Sequence, residues 1–221
     1  GSDYRRHITF NDDAIVRLMR FLREVYSSSV YAFIDPDRRE ASRRAFDRGI
    51  DCVLKCQIVV DGQLTVWCAQ HDEQDFSPRP ARSFELVSLS GGESVAIVRL
   101  LMSLDNPNPR VIQAIESAVV WFDNSKISGI RQVAEPDERS PTGTNKVIIK
   151  DDTASPLWAR FYEIGTNRPI FVDRDGVPKY DLAEIGYERR NGYSWLNGRP
   201  QRLLQVDYPT WKANRTIDTS P

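Results

Sequence analysis

The sequence predicts a mainly α protein of stacked helical hairpins, a helical-hairpin toroid of (α/α)-barrel-like build, with small β-hairpins inserted at one rim. Three observations predict it. Four long segments place apolar residues at spacings of three and four, the signature of helices with one buried face. They come in consecutive pairs, and the second pair is joined only by Asn106-Pro107-Asn108. The alternating segments between and after them are short and bounded by turn residues, so they form hairpins rather than a large sheet. No repeat of fixed period and no low-complexity stretch is present.

The first helix is expected over Asp12 to Tyr26. Ile15, Leu18, Met19, Leu22 and Val25 share a face, and Asn11 or Asp12 serves as N-cap. Asp35-Pro36 opens the second, which runs to about Cys56 with Ala45, Phe46, Ile50, Val53 and Leu54 inward. Ile58–Val60 and Leu64–Trp67 flank an Asp61-Gly62 turn and read as a hairpin. The polar, Pro-bearing stretch from Gln70 to Arg82 reads as loop. Glu93 to Leu104 and Pro109 to Asn124 are the second helical pair, the latter with Ile112, Ile115, Val119 and Phe122 on one face. Short strands follow at Ile130–Ala134 and Val147–Ile149 around a polar loop. Short pieces at Trp158–Ile164 and Ile170–Val172 come next. The last helical segments are expected from Tyr180 to Arg190 and from Tyr208 to Ala213.

At 221 residues the chain makes one domain with a real core, assigned to residues 3–215. Gly1-Ser2 reads as a tag remnant, and 216–221 as an aperiodic tail expected to fray. Apolar content of 40% and five Trp exclude a disordered chain. No apolar run reaches membrane-span length, and no segment of the given sequence reads as a signal peptide. Net charge of −1, with no basic stretch interleaved by aromatics, argues against a nucleic-acid binder. Yet 24 of the 30 basic residues are arginine, whose planar fork matches carboxylates. That bias fits either surface ion pairs or an arginine-lined cleft for carboxylate sugars. Cys52, Cys56 and Cys68 form no zinc pattern, and the spacing of the first two does not suit a disulfide. Buried free thiols are expected.

Six strings occur in order along the chain. They are Asn11-Asp12-Asp13, the run from Trp67 to Asp72 (WCAQHD), Arg82-Ser83-Phe84-Glu85-Leu86, Ser88-Leu89-Ser90-Gly91 followed by Glu93-Ser94, the run from Trp158 to Pro169 (WARFYEIGTNRP), and Glu188-Arg189-Arg190-Asn191-Gly192-Tyr193. Together the chain from Asp12 to about Trp211 resembles the family 10 pectate lyases. The resemblance implies an α-helical toroid-like enzyme that cuts polygalacturonate by calcium-assisted anti β-elimination. A base takes the C5 proton of a galacturonate whose carboxylate is neutralised by calcium and arginines, and the oxygen on C4 leaves.

Carried over residue by residue, the resemblance makes Arg82 the base. A free guanidinium is protonated at ordinary pH, so such a base requires alkaline conditions and neighbouring positive charge. The plainer reading of Arg82 is a surface ion-pair residue. Asp12 and Asp13 match an acidic pair that would give calcium part of its oxygen shell; read without the resemblance, they are helix caps. Arg160, Arg174 and Arg189 match arginines that clamp sugar carboxylates, with Arg190 as a companion. Asp173 and Asp175 fit equally well as neighbours holding Arg174 in a turn. Trp67 either stacks on a sugar or fills the core. His71 either lines the cleft or orients the exit from its strand, since no nucleophile motif accompanies the His71-Asp72 pair.

Family catalytic modules are longer than this chain, and the resemblance starts well inside them, so N-terminal toroid helices and one cleft wall are expected to be missing. Two functional classes follow. One is a secreted or cell-surface bacterial pectate lyase, a monomer and module of a larger enzyme, acting on the acidic polysaccharide homogalacturonan. The other is a non-catalytic pectin-binding module on the same scaffold. Retained Arg82 favours the first, and the shortened scaffold favours the second.

Overall fold

The computed structural model describes residues 3–218; Gly1-Ser2 and residues 219–221 lie outside them. The chain is mainly α. Its helices are α1 (Ala14–Ser27), α2 (Pro36–Lys55), α3 (Glu93–Met102), α4 (Pro109–Asn124), α5 (Tyr187–Gly192), α6 (Arg199–Arg202) and α7 (Tyr208–Asp218). Twelve short strands accompany them: β1 (Ile8–Thr9), β2 (Val59–Val60), β3 (Gln63–Leu64), β4 (Gln70–His71), β5 (Leu89–Ser90), β6 (Ile130–Pro136), β7 (Thr144–Lys150), β8 (Trp158–Ala159), β9 (Phe161–Tyr162), β10 (Phe171–Val172), β11 (Pro178–Lys179) and β12 (Leu196–Asn197).

The two best-marked helix starts lie where the sequence places them. Asp35 accepts from the Arg38 backbone N–H and Asn108 from that of Val111, each followed by Pro at the first helical position. α1 and α2 pack as an antiparallel hairpin: Arg39 bonds the Val25 and Tyr26 carbonyls, while Gly49 lies against Met19. Asp61 and Gly62 take positive φ, as a two-residue hairpin turn requires, and join β2 to β3.

Every sheet has two antiparallel strands. β5 pairs with β9 and β8 with β12, so the Ser88–Gly91, Trp158–Tyr162 and Trp195–Asn197 segments meet at one place. Two buried tryptophans join such segments to helices. Trp67 Nε1 donates to the Val53 carbonyl at 2.7 Å, and Trp158 Nε1 to that of Phe122 at 2.8 Å. Cys56 and Cys68 are buried and Cys52 is half-buried; all three are free thiols.

Several expectations need correction. Neither Asn11 nor Asp12 caps α1. A short 3₁₀ turn covers Asn11–Asp13, and Asp13, at the cap position, makes no capping bond. Leu18 is exposed, and Val16 is buried instead. Gln70–His71 is a strand, because β1, N-terminal to every predicted element, pairs with it. The segment from Tyr180 to Arg190 is two helices broken at Ile185-Gly186, where the backbone is extended. The β6–β7 hairpin is longer than its apolar residues suggest. Residues 199–207, unassigned in the sequence, are helical, with a π turn before α7. α7 runs to Asp218, three residues into the expected tail.

Candidate active site

Three arginine heads surround one buried ring. The guanidinium carbons of Arg189, Arg82 and Arg174 lie 4.5, 4.8 and 6.0 Å from the Phe84 centroid. Tyr193 packs edge-on against Phe84, and Arg160 lies over the Tyr193 ring at 4.5 Å. Facing aromatic rings favours cations and holds their forks in fixed planes. These arginines come from four distant segments, so only the fold collects them.

Two glycines allow the close approaches that build the site. A Cβ on Gly91 would sit 2.2 Å from the Ala159 carbonyl oxygen, so only glycine lets Ser88–Gly91 approach the segment bearing Arg160. Gly176 has φ +74, and a Cβ there would lie 3.2 Å from the Ser83 carbonyl oxygen. The turn carrying Arg174 thereby rests on the loop carrying Arg82. Asp173 shapes that turn by accepting from the Arg174 and Gly186 N–H groups. The Asp neighbours therefore hold the backbone, while the Arg174 side chain is left to pair with Glu188.

Each arginine has a carboxylate partner that the sequence reading did not single out. Glu85, only 4% exposed, takes Arg82 Nε at 2.8 Å and also binds Nη2. Burial pushes the Glu85 carboxyl up, but the bonds from Arg82 outweigh it and hold it below the usual range. The same pairing raises the Arg82 guanidinium above its ordinary value, so the Arg82 head is cationic here. Glu188 bridges Arg174, at 2.9 Å to both Nε and Nη2, and Arg189, at 2.8 Å to Nε. Arg189 and then Arg174 lower the Glu188 carboxyl to about 2. Glu93, 3% exposed, lies 2.5 Å from Arg160 Nη2. Two signals were present in the sequence: the i,i+3 spacing of Arg82 and Glu85, and Ser90-x-x-Glu93, a capping-box pattern. Ser90 Oγ indeed accepts from the Glu93 N–H and bonds its carboxylate.

Asp12 and Asp13 take φ of 52° and 61°, two consecutive left-handed residues. Asp tolerates this conformation better than most side chains, and such strain concentrates at functional sites. The turn releases both carboxylates from capping. Asp12, its side chain 75% exposed, lies 3.5 Å from Arg160, and Asp13 pairs with Arg199 at 3.0 Å. Asp13 Oδ1 is buried without a hydrogen-bond partner. Beside them is a recess of about 80 Å³ whose lining includes Asp12, Glu93, Arg160, Asn197 and Arg199. Among the described residues no three His, Cys, Asp or Glu side chains group closely enough to hold a metal by themselves.

Three expected contacts are overturned. Trp67 is fully buried and cannot stack on a sugar. His71 is fully buried: its Nδ1 donates to the Phe76 carbonyl at 2.8 Å, and its Nε2 accepts from the Cys68 N–H at 3.1 Å. It orients the strand exit rather than the cleft. Arg190 points away from the cluster, bonding Asn145 and the carbonyls of Ala183 and Ile185. It lines a separate cavity of about 500 Å³, which none of Arg82, Arg160, Arg174 or Arg189 touches.

Burial lowers the His71 imidazole to about 4, against 6.5 when free. A base depressed in the folded state contributes stability above its unfolded value, and loses it as pH falls towards the folded one. Urea midpoints are therefore expected to drop between pH 6.5 and 4, with a His71-linked loss of roughly 3 kcal/mol. His71→Gln should flatten that dependence; an unchanged pH slope would contradict the assignment.

The chain matches the pectic acid lyase family over residues 1–204. It is similar to a family 10 polysaccharide lyase from Cellvibrio cellulosa, with TM-score 0.82 and 31% identity over 95% of this chain. An aspartate-to-alanine mutant of that lyase, solved in complex with trigalacturonic acid, matches equally well. This chain spans 64% of those chains, just under two thirds of their length. No curated protein matches.

Proposed function

This chain belongs to the pectic acid lyase family, and on that premise we propose that it cleaves polygalacturonate by β-elimination at the Phe84 arginine cluster. The observation that carries the reading is the convergence of Arg82, Arg174 and Arg189 on one ring, with the Arg82 and Arg174 side chains 47% and 64% exposed. A row of galacturonates presents carboxylates that such forks bind in pairs. The trigalacturonic acid bound by the Cellvibrio relative has this chemistry.

In the proposed reaction Arg174 and Arg189 hold a galacturonate carboxylate, and Arg160 supports the cleft through Tyr193. Neutral Arg82 takes the C5 proton. The C5–H electron pair becomes the C4=C5 π bond, the C4–O bond breaks, and the departing glycosidic oxygen takes a proton from water. Arg82 then returns its proton to solvent. Because Glu85 holds Arg82 protonated, activity is expected to rise steeply into the alkaline range.

Calcium fits in part. The open Asp12 carboxylate and the orphaned Asp13 Oδ1 are hard oxygen donors, too few for a full shell, so substrate carboxylates complete it. The chemistry calcium supplies when bound is neutralisation of the galacturonate carboxylate. Asp12→Asn keeps a residue that tolerates positive φ but removes the charge. It is expected to raise the calcium needed for half-maximal activity roughly tenfold or more, with stability unchanged within about 0.5 kcal/mol. An unaltered calcium titration would remove Asp12 from the site.

We further infer that the α1–α2 and α3–α4 pairs are hairpins of a helical toroid, and that the protein acts outside the cell, where its polymer lies. Among the described residues no helix is long and apolar enough to cross a membrane. One other reading is a pectin-binding module without catalysis, in which the same arginine cluster holds the polymer. Electrophoresis through gels containing polygalacturonate, run beside an assay for unsaturated uronate, separates the two. Retardation with product supports the lyase, retardation without product the binding module, and neither result fits an acidic-polymer site.

A further inference from the structure

Both carboxylate oxygens of the buried Glu85 are bonded twice. Its Oε1 takes Arg82 Nη2 and, at 3.2 Å, the Tyr193 hydroxyl. Its Oε2 takes Arg82 Nε at 2.8 Å and the Arg82 backbone N–H at 3.2 Å. The backbone closes the same turn, with the Glu85 N–H on the Arg82 carbonyl at 2.8 Å. The Glu85 side chain is 5% exposed, while that of Arg82 is 47% exposed. The anion is thus fixed in the wall, and the cation projects from it.

One nitrogen is left over. The Nε and Nη2 edge of Arg82 is occupied by Glu85, and among the described residues Nη1 has no hydrogen-bond partner. We propose that Glu85 is the positioning residue for Arg82, locking its inner edge so that Nη1 alone faces the substrate as the atom that exchanges the C5 proton. The inference rests on the lyase reading for its chemistry and on the geometry alone for the lock. The other groups acting on the Arg82 head are Tyr193, which shares Glu85; Asp12, which acts only through its charge; and the cations Arg174 and Arg189, which share the Phe84 ring. Of the two carboxylates, only Glu85 bonds Arg82 directly.

The test compares wild type, Glu85→Gln and Tyr193→Phe by polygalacturonate kinetics over alkaline pH, and by the nitrogen–proton NMR signal of Arg82 Nε, assigned with Arg82→Lys. Glu85→Gln keeps the shape of the side chain but not its charge. A freed guanidinium misplaced by about an ångström costs on the order of 100-fold in kcat, with KM little changed. Without its anion, Arg82 also loses its proton more readily, so the remaining activity should rise at lower pH than in wild type. The Arg82 Nε–H signal, slow to exchange in wild type, should broaden or vanish. Tyr193→Phe removes one bond from Glu85 and should lower kcat about fivefold, which decides the matter should Glu85→Gln fail to fold. A structural role alone would lower stability and leave the pH profile in place, and that result overturns the proposal. If folded wild type forms no unsaturated product, the lyase reading fails separately. The lock is then decided by the Nε–H signal, which supports it if protected in wild type and lost in Glu85→Gln, and overturns it if unchanged.

Discussion

Arg82→Ala is expected to lower kcat on polygalacturonate by about 10²- to 10⁴-fold, the range over which a positioned base contributes. KM should change far less, because Arg174, its side chain 64% exposed, still stands beside the Phe84 ring. The substitution strands the buried Glu85 carboxylate, so part of any loss would come from the fold. Arg82→Lys is the control. It keeps a cation beside Glu85 and should keep the fold, yet it has no fork to be locked and no second terminal nitrogen to face the substrate. It too should lose most turnover. Full turnover in Arg82→Lys would show that charge suffices and that the fork plays no part.

Arg160→Ala should have the largest effect on stability. The Arg160 side chain is 13% exposed and lies between the 3% exposed Glu93 and the Tyr193 ring. Removing it leaves a buried carboxylate without its cation, a change that costs about 3–5 kcal/mol. For a chain of this size that corresponds to a fall in Tm on the order of 10 °C. Replacing both partners, as Arg160→Met with Glu93→Gln, should recover much of the loss, because no uncompensated charge remains. Thermal unfolding of Arg160→Met, Glu93→Gln and the double variant checks this. Additive losses would show that the pair is not coupled.

The local grammar of the fold was open to reading from sequence. Asp35-Pro36, Asn108-Pro109 and Asp61-Gly62 act through neighbouring backbone, so their effects survive without tertiary context. Elements set by distant partners were not readable. Gln70–His71 is a strand only because Ile8–Thr9 reaches it, and residues 203–207 fold against α3 and α4, far back in the chain. The resemblance picked out Arg82, Arg174 and Arg189, which meet at one ring, but also Arg190, which does not, and it left their surroundings unread. A matching string cannot separate Trp67 and His71, which lie in the core, from Arg82 and Arg174, which reach solvent. Asp12 and Asp13 had two readings, and the left-handed turn that frees them from capping is invisible in residue type alone. Glu93 was not read as a partner of Arg160, which lies 67 residues away.

The most direct test of the central claim is the ultraviolet absorbance of the C4=C5 uronate when the protein meets polygalacturonate at alkaline pH with calcium, followed in parallel with a chelator. The expected result is a rise that depends on calcium and steepens with pH. A flat trace from folded protein that is still retarded by the polymer would contradict catalysis by this chain and leave it a binder of acidic polysaccharide.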